Sequence, residues 1–369
     1  MLALTSLIPE VVHFAVSHLS TFTPNHTTLM IQIDESIIGD ISLMQVVPGI
    51  EVSNLNTKLG NPKTATEIDA LRKLLLKPFT THNETYEFDH QIDLSYNVLF
   101  NIAKDIYEEA DFAEQSRNIH QHLVSVSTHP NIKEGDLFIA KFEQIRLAKR
   151  YVEGIGIYKF EQKESFVETE NVEGVIQATY RKGLGTKKPE KGCLILFDRE
   201  PFTILVIDSN YQETDYWRQD FIQYRSKEDN VNSTNNFLKM AKSYITDQMP
   251  SEFEVEKADQ IDLLNKSIDF FKQNETFRKT DFEQTVLEDE EAIKSFRSFG
   301  TSYKQTNDVE IHDEFDIAPQ SVKKQSRIFK SILKLDKNFH VYIHGDRNKI
   351  SRGQDEQGKF YKIYYENEA

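Results

Sequence analysis

Cysteine is almost missing from this chain: Cys193 stands alone among 369 residues. That excludes a disulfide framework and any multi-cysteine zinc or iron–sulfur site. No apolar run approaches the ~18 residues of a membrane-spanning helix. The N-terminus has no basic segment and carries Glu10 within its apolar stretch, so no signal peptide is expected. Positive charge is scarce as well, with 44 Lys+Arg against 59 Asp+Glu and a net charge of −15. A protein that coats nucleic acid over its whole surface needs concentrated Lys and Arg, so this balance argues against one. What is present is ordinary for a cytoplasmic protein without a membrane segment. Hydrophobic residues make up 38%, enough for a core, and the length suggests two domains.

The charge is unevenly spread. Residues 319–352 carry Lys323, Lys324, Arg327, Lys330, Lys334, Lys337, Arg347, Lys349 and Arg352 against only Asp336 and Asp346, a net +7. The tail 353–369 carries −2, which leaves −20 on residues 1–318. One basic island sits on an acidic body.

Periodicity sketches the organisation. Val11–Val16 and Thr27–Ile33 suggest strands, and residues 67–78, 94–109 and 111–126 suggest helices. From residue 135 the period changes to two: strands are expected over Leu137–Ile145, Gly154–Phe160, Cys193–Phe197 and Thr203–Ile207. Short strands without long helices between them indicate an antiparallel meander. Helices return over Phe237–Ile245 and 257–273. Thr280 with Glu283 reads as a capping box opening a helix towards Phe299, and 300–314 reads as a loop. Pro319 suits the first turn of a helix running to about Lys334. Phe339–Ile343 and Lys359–Tyr365 alternate as two strands of one terminal hairpin, joined by the loop 345–358.

On that last helix, Lys323, Arg327, Lys330 and Lys334 share a face, with Lys324 beside them, while Val322, Phe329 and Leu333 dock the other side. Arg347, Lys349 and Arg352 in the following loop would join them in gripping backbone phosphates. The plain alternative is a solvated charged helix. A smaller island, Arg181, Lys182, Lys187, Lys188 and Lys191, lies among Gly183, Gly185 and Gly192. Its glycines match neither a phosphate-binding loop nor a dinucleotide fingerprint. A solvated turn is its bland reading, and a secondary phosphate contact its functional one.

Enzyme chemistry is thinly represented. Glu161 and Lys163 have the E-x-K spacing of metal-dependent nucleases, with Asp136 as a further ligand, but such spacing arises often by chance in a chain with 28% charged residues. His340 and His344 could share a strand face with Tyr342, yet lack a third metal ligand. His129 before Pro130 reads as a turn residue. Cys193 reads as a buried thiol. Trp217, with Tyr216 and Phe221, reads as an anchor between the two parts.

Several segments resemble the bacterial nucleoid-associated (NdpA-like) family, particularly its acidic branch. They are Ser127-Thr128-His129-Pro130-Asn131-Ile132-Lys133, Tyr216-Trp217 with Asp220-Phe221, and Lys257-Ala258-Asp259-Gln260-Ile261-Asp262-Leu263-Leu264-Asn265. The most specific is Val322–Phe329 followed by Lys330–His340. Their order covers roughly residues 80–365. The resemblance implies a cytoplasmic protein of the bacterial nucleoid, associated with DNA, and supplies no catalytic residues. One departure stands out: the better-known branch carries an arginine-containing basic segment where this chain reads Phe237-Leu238-Lys239-Met240-Ala241-Lys242.

The expectation is therefore an α+β protein. Residues 1–212 form an antiparallel meander with flanking helices, and 213–369 a mostly helical part ending in a basic helix and β-hairpin. Its expected role is non-enzymatic binding of duplex DNA with little sequence preference, without metal or cofactor. An acidic adaptor engaging a basic nucleoid protein is the first rival and a metal-dependent nuclease the second. Self-association is a further possibility.

Overall fold

The computed structural model describes residues 31–48, 64–82, 84–147, 150–185, 187–210, 214–307, 309–329, 332–335, 337–343 and 347–367. The strand expected over Val11–Val16 lies outside them, and of Thr27–Ile33 only the end is described.

An antiparallel sheet dominates the first half. It begins with β1 (Ile31–Gln32) and β2 (Ile37–Val46), which pair with different stretches of one long strand. Helix α1 (Ala65–Leu75) starts at a capping box in which Thr64 and Glu67 each bond the other's backbone N–H. Pro78 then sits in a 3₁₀ turn, Lys77–Phe79. Strand β3 (Tyr86–Phe88), helix α2 (Val98–Tyr107) and helix α3 (Phe112–Val126) follow. Asn97 and Asp111 cap the two helices by accepting from the N–H groups of Phe100 and Glu114.

The expected meander is β4 (Gly135–Leu147), β5 (Arg150–Phe160), β8 (Lys191–Leu196) and β9 (Thr203–Asp208). Between β5 and β8 the chain leaves the sheet to form a separate hairpin, β6 (Glu164–Val172) and β7 (Val175–Gly183). Strand β10 (Tyr224–Ser226) closes the order β1-β4-β5-β8-β9-β3-β10, with β2 alongside β4. Both sheet faces are covered, which is why these strands read as nearly unbroken apolar runs. Leu137, Ile139, Ile155, Ile157, Cys193 and Ile195 pack towards α2, α3 and Trp217. Phe138, Ala140, Phe142, Tyr158, Leu194 and Leu196 pack towards Leu75, Leu76 and Phe79. The strands approach closely at Gly154, where a Cβ would lie 2.4 Å from the Ile195 carbonyl oxygen. The segment Tyr216–Ser226, assigned from sequence to the second part, belongs to this first core: Trp217, Phe221 and Ile222 are buried in it.

The second core is helical and rich in phenylalanine. It uses α4 (Asn230–Ser243), α5 (Met249–Glu252), α6 (Lys257–Gln273), the strand β11 (Thr276–Arg278), α7 (Lys279–Phe282) and α8 (Glu290–Asn307). Phe237 lies 4.2 Å from Phe277 and 4.9 Å from Phe282 between ring centroids. Two expectations fail here. Thr280 is no cap, since Arg278 stands at the N-cap of α7 without a side-chain bond, and Glu283 turns inward to a bidentate pair with Arg297. The stretch 300–314 is not all loop either. Helix α8 runs on to Asn307 because Phe299 and Tyr303 continue its packed face against the second core, and β12 (Glu314–Asp316) then pairs with β11.

Helix α9 (Pro319–Ser326) opens with Pro319 at its first turn, as expected, but is only eight residues long. The single terminal hairpin is replaced by two. Strands β13 (Ile332–Leu335) and β14 (Phe339–Tyr342) pair with each other, and β15 (Ile350–Asp355) pairs with β16 (Gly358–Ile363). Leu333, Ile343 and Ile350 form a small cluster with Ile261 of α6, and that burial holds both hairpins on the body.

Candidate nucleic-acid interface

Helix α9 is fixed by its buried polar side. Ala318 donates its N–H to Thr234 Oγ1 at 3.0 Å, Ser321 Oγ donates to the Val231 carbonyl at 3.2 Å, and Gln325 Nε2 donates to Asn235 Oδ1 at 3.1 Å. With Ser321, Val322 and Gln325 turned to α4, Lys323, Lys324 and Arg327 are left exposed at the helix C-terminus. Cations are favoured there by the unpaired carbonyls of the last turn.

The expected four-residue basic helix face does not exist, because the helix ends at Ser326. Lys330 lies outside the described residues. Lys334 is on strand β13, directly opposite His340. Leu333 points into the Ile261 cluster, so alternation turns Lys334 outward, with His340 and Tyr342 on the same solvent face. That face of the hairpin holds Ile332, Lys334, His340 and Tyr342, and no carboxylate. His340 therefore faces a cation across the strands. His344 lies outside the described residues, and among those described no group of three His, Cys, Asp or Glu could hold a metal.

The loop arginine and lysine have other occupations. Arg347 Nε donates to Asp259 Oδ1 at 2.6 Å, its Nη2 to Glu256 Oε2 at 2.8 Å, and its Nη1 to the Ile350 carbonyl. Lys349 Nζ lies 2.7 Å from Glu366 Oε1. Arg352 stands exposed on β15 opposite the half-buried Tyr361. Among the described residues, Lys323, Arg327, Lys334 and Arg352 make no ion pair. Lys324 adds its charge to the surroundings of Glu84. Burial raises that carboxyl, but the bond and charge of Lys239 dominate and hold it below its usual range.

The smaller island is pulled apart. Arg181 and Lys182 occupy opposite faces of β7, and Arg181 Nε donates to Glu168 Oε2 at 3.0 Å. Lys187 and Lys188 are exposed beyond the β6–β7 hairpin, whereas Lys191 is fully buried. Helix α4, the segment that departs from the better-known branch, has Lys239 paired with Glu84 at 2.8 Å.

The nuclease constellation is also taken apart by pairing. Lys163 binds Asp136 at 2.8 Å, while Glu161 turns inward to Lys159 at 3.0 Å. What sequence reasoning missed is the row to which this pair belongs. Lys159, Lys191 and Asp208 are register partners across β5, β8 and β9. Each ends the inward row of its strand, after Ile155 and Ile157, after Cys193 and Ile195 in reverse, and after Ile204 and Val206. A charge at the end of an apolar alternating row was the available signal. Lys191 Nζ lies 2.5 Å from Asp208 Oδ1, and both ammonium groups sit over the Tyr216 ring, at 5.7 Å for Lys159 and 5.3 Å for Lys191. Lys159 Nζ also donates to the Lys133 carbonyl at 2.5 Å. Burial pushes the Lys159 ammonium below its ordinary value against the opposing pull of Glu161, and raises the Asp208 carboxyl and the Tyr216 phenol. The segments Ser127–Lys133 and Tyr216–Phe221 therefore meet over one buried charged row. Cys193 is buried beside it, its thiol raised by burial.

Among curated proteins and among solved structures, nothing matches this chain. A family model does match, over residues 51–368, which takes in every element from α1 to the last hairpin and leaves out β1 and β2. On that match the chain belongs to the family NA37, nucleoid-associated protein YejK.

Proposed function

We propose that this protein acts at the bacterial nucleoid, in the cytoplasm, as a non-enzymatic protein that binds duplex DNA with little sequence preference. Membership of a nucleoid-associated family supports the general role. The observation that carries the binding mode is a set of exposed cations, on α9 and on the two terminal hairpins, that form no ion pair among the described residues. Lys323, Lys324, Arg327, Lys334 and Arg352 are exposed, and Lys334 shares the carboxylate-free face of β13–β14 with His340 and Tyr342. Lysine and arginine without carboxylate partners are available to neutralise phosphates, a contact that carries no sequence information. Arg347 and Lys349 are left out of this contact because they hold carboxylates of the protein. Lys187 and Lys188 offer a secondary contact, with Lys182 near them.

About five phosphates neutralised would give a slope of log K against log salt near −4.5. Fluorescence anisotropy of a labelled duplex across a salt series reads that slope directly. Absence of binding at low salt, or binding unchanged when Lys323, Lys324 and Arg327 are replaced by Glu, would overturn the proposal.

The −20 carried by residues 1–318 favours a second reading, an adaptor whose acidic body engages a basic nucleoid protein. Pull-down from nuclease-treated lysate separates the two, since an adaptor keeps its partner after DNA is removed. A nuclease is disfavoured by the pairing of Asp136 and Glu161 with lysines. Plasmid incubated with Mg²⁺ or Mn²⁺ and the pure protein should stay intact.

A further inference from the structure

The seam between the two cores encloses a cavity of about 190 Å³. One wall is the segment Tyr216–Ser226, which belongs to the sheet core. The other is α4 together with the chain around Val309–His312, which belongs to the helical core. Drug-sized ligands need roughly 300 Å³ or more, so this space suits a molecule of few atoms. On α4, helical periodicity turns Ser233 and Asn236 away from Val231, Thr234 and Asn235, the residues that hold α9. The cavity and α9 therefore lie on different sides of one helix.

Much of the polar lining is already occupied within the protein. Asn232 uses its carboxamide on Thr85 and on the Lys227 carbonyl. Arg225 pairs with Glu87 at 2.8 Å and has Asp89 and Glu228 around it. Lys227 donates to Thr203 Oγ1, and Glu310 is held by Lys304 at 2.8 Å. Four groups differ. Arg218 is exposed and has no carboxylate partner among the described residues; its guanidinium lies over the Tyr224 ring, 5.5 Å from the centroid. Ser233 is only 5% exposed, yet its hydroxyl has no hydrogen-bond partner among the described residues. Its neighbour Thr234, by contrast, donates to the Asn230 carbonyl at 2.7 Å. Asn236 Nδ2 reaches the Glu310 carbonyl at 3.4 Å, too long for a strong bond. The half-buried His312 ring makes no hydrogen bond among the described residues.

We propose that this cavity is a binding site for a small free phosphate compound, either inorganic phosphate or a phosphate monoester. Arg218 supplies the charge and a planar fork of N–H donors, which suits a phosphate edge. Ser233, Asn236 and His312 supply neutral donors from the opposite wall. Donors on two sides of a cavity match a tetrahedral oxyanion, whose oxygens point several ways, better than a planar carboxylate. Binding also gives the buried Ser233 hydroxyl the partner it lacks, so part of the desolvation cost already present in the empty protein is recovered. The ligand would bridge the two cores, and it would not share the phosphates met by α9.

Isothermal titration of the full chain with inorganic phosphate, and separately with glycerol 3-phosphate, tests this at constant ionic strength. At least one should bind one-to-one, with a dissociation constant below about ten millimolar. Arg218→Gln should weaken binding about tenfold or more, and Ser233→Ala about threefold. Lys294→Gln removes the same charge from an exposed site on α8 and should change nothing. Thermal melts without phosphate verify that each variant folds. Phosphate should raise the melting temperature of the wild type and not that of Arg218→Gln. No saturable binding of either probe overturns the proposal, as does binding indifferent to the Arg218 and Ser233 changes or weakened equally by Lys294→Gln. If neither probe binds while Arg218→Gln lowers the salt slope for duplex DNA, the cavity belongs to the DNA contact and the proposal falls.

Discussion

Arg347 and Asp259 are joined at 2.6 Å, tying the start of the last hairpin to the first turn of α6. The same guanidinium reaches Glu256, the N-cap residue of that helix. Two carboxylates at a helix N-terminus favour the positive end of its dipole, and one planar arginine satisfies both. An arginine in the basic island is thus a clamp within the protein. Arg347→Ala should cost about 1–2 kcal/mol, discounted for partial exposure. Its salt slope for DNA should match the wild type, read by anisotropy beside a chemical melt.

Lys334 should behave oppositely. It faces solvent on β13 between the buried Leu333 and the half-buried Leu335. Lys334→Gln should leave the melting temperature within error and reduce the salt slope by about 0.9, one phosphate's share. Leu333→Ala, one residue away, should instead destabilise by about 2–5 kcal/mol.

The buried row beneath Tyr216 yields a prediction about coupling. Lys159→Met leaves Glu161 without its cation, at a position where both side chains are nearly inaccessible. Breaking such a pair costs about 3–5 kcal/mol. The double change Lys159→Met with Glu161→Leu should recover much of that loss, because no lone charge remains buried. Urea melts of the two single variants and the double variant give the coupling. Additive losses would contradict the argument.

His122 predicts a pH effect. Its Nε2 lies 3.0 Å from the Phe221 carbonyl and its ring stacks on Phe221, with burial lowering its pKa from 6.5. The folded protein therefore binds a proton less readily than the unfolded chain. The stability this contributes is complete above pH 6.5 and is lost as the pH falls through the lowered folded value. His122→Gln should flatten the fall in stability below pH 6.5, measured by denaturant midpoints.

The phenylalanine cluster concentrates the stability of the second core. Phe237 is fully buried and touches Phe271, Phe277, Phe282 and Phe296. Phe237→Ala should cost about 3–5 kcal/mol. The expected loss is confirmed if the variant melts early while Lys159→Met, in the other core, melts independently.

Local pattern was enough where one element buries one face. The residues 257–273 show helical spacing, and α6 forms over that span with Ile261, Leu264, Ile268 and Phe271 buried. The four meander strands were equally legible, because apolar side chains on both faces leave uninterrupted runs. Legibility ended where partners lie far apart in sequence. Helix α9 stops early because Leu333 and Ile343 are buried against Ile261 of α6, a contact no local window contains. The arm β6–β7 was hidden for the opposite reason: with neither face buried, its alternation carries polar residues on both sides.

Charge divides in the same way. Composition and order alone determined that this is an α+β chain with an acidic body and one basic island, because those are sums and periods along the chain. Which cations remain available was decided by tertiary structure. Burial and proximity assign Arg347 to Asp259, Lys163 to Asp136, Lys159 to Glu161 and Lys191 to Asp208. A lysine has the same charge in any sequence, but its partner is set by what folding brings within about 3 Å.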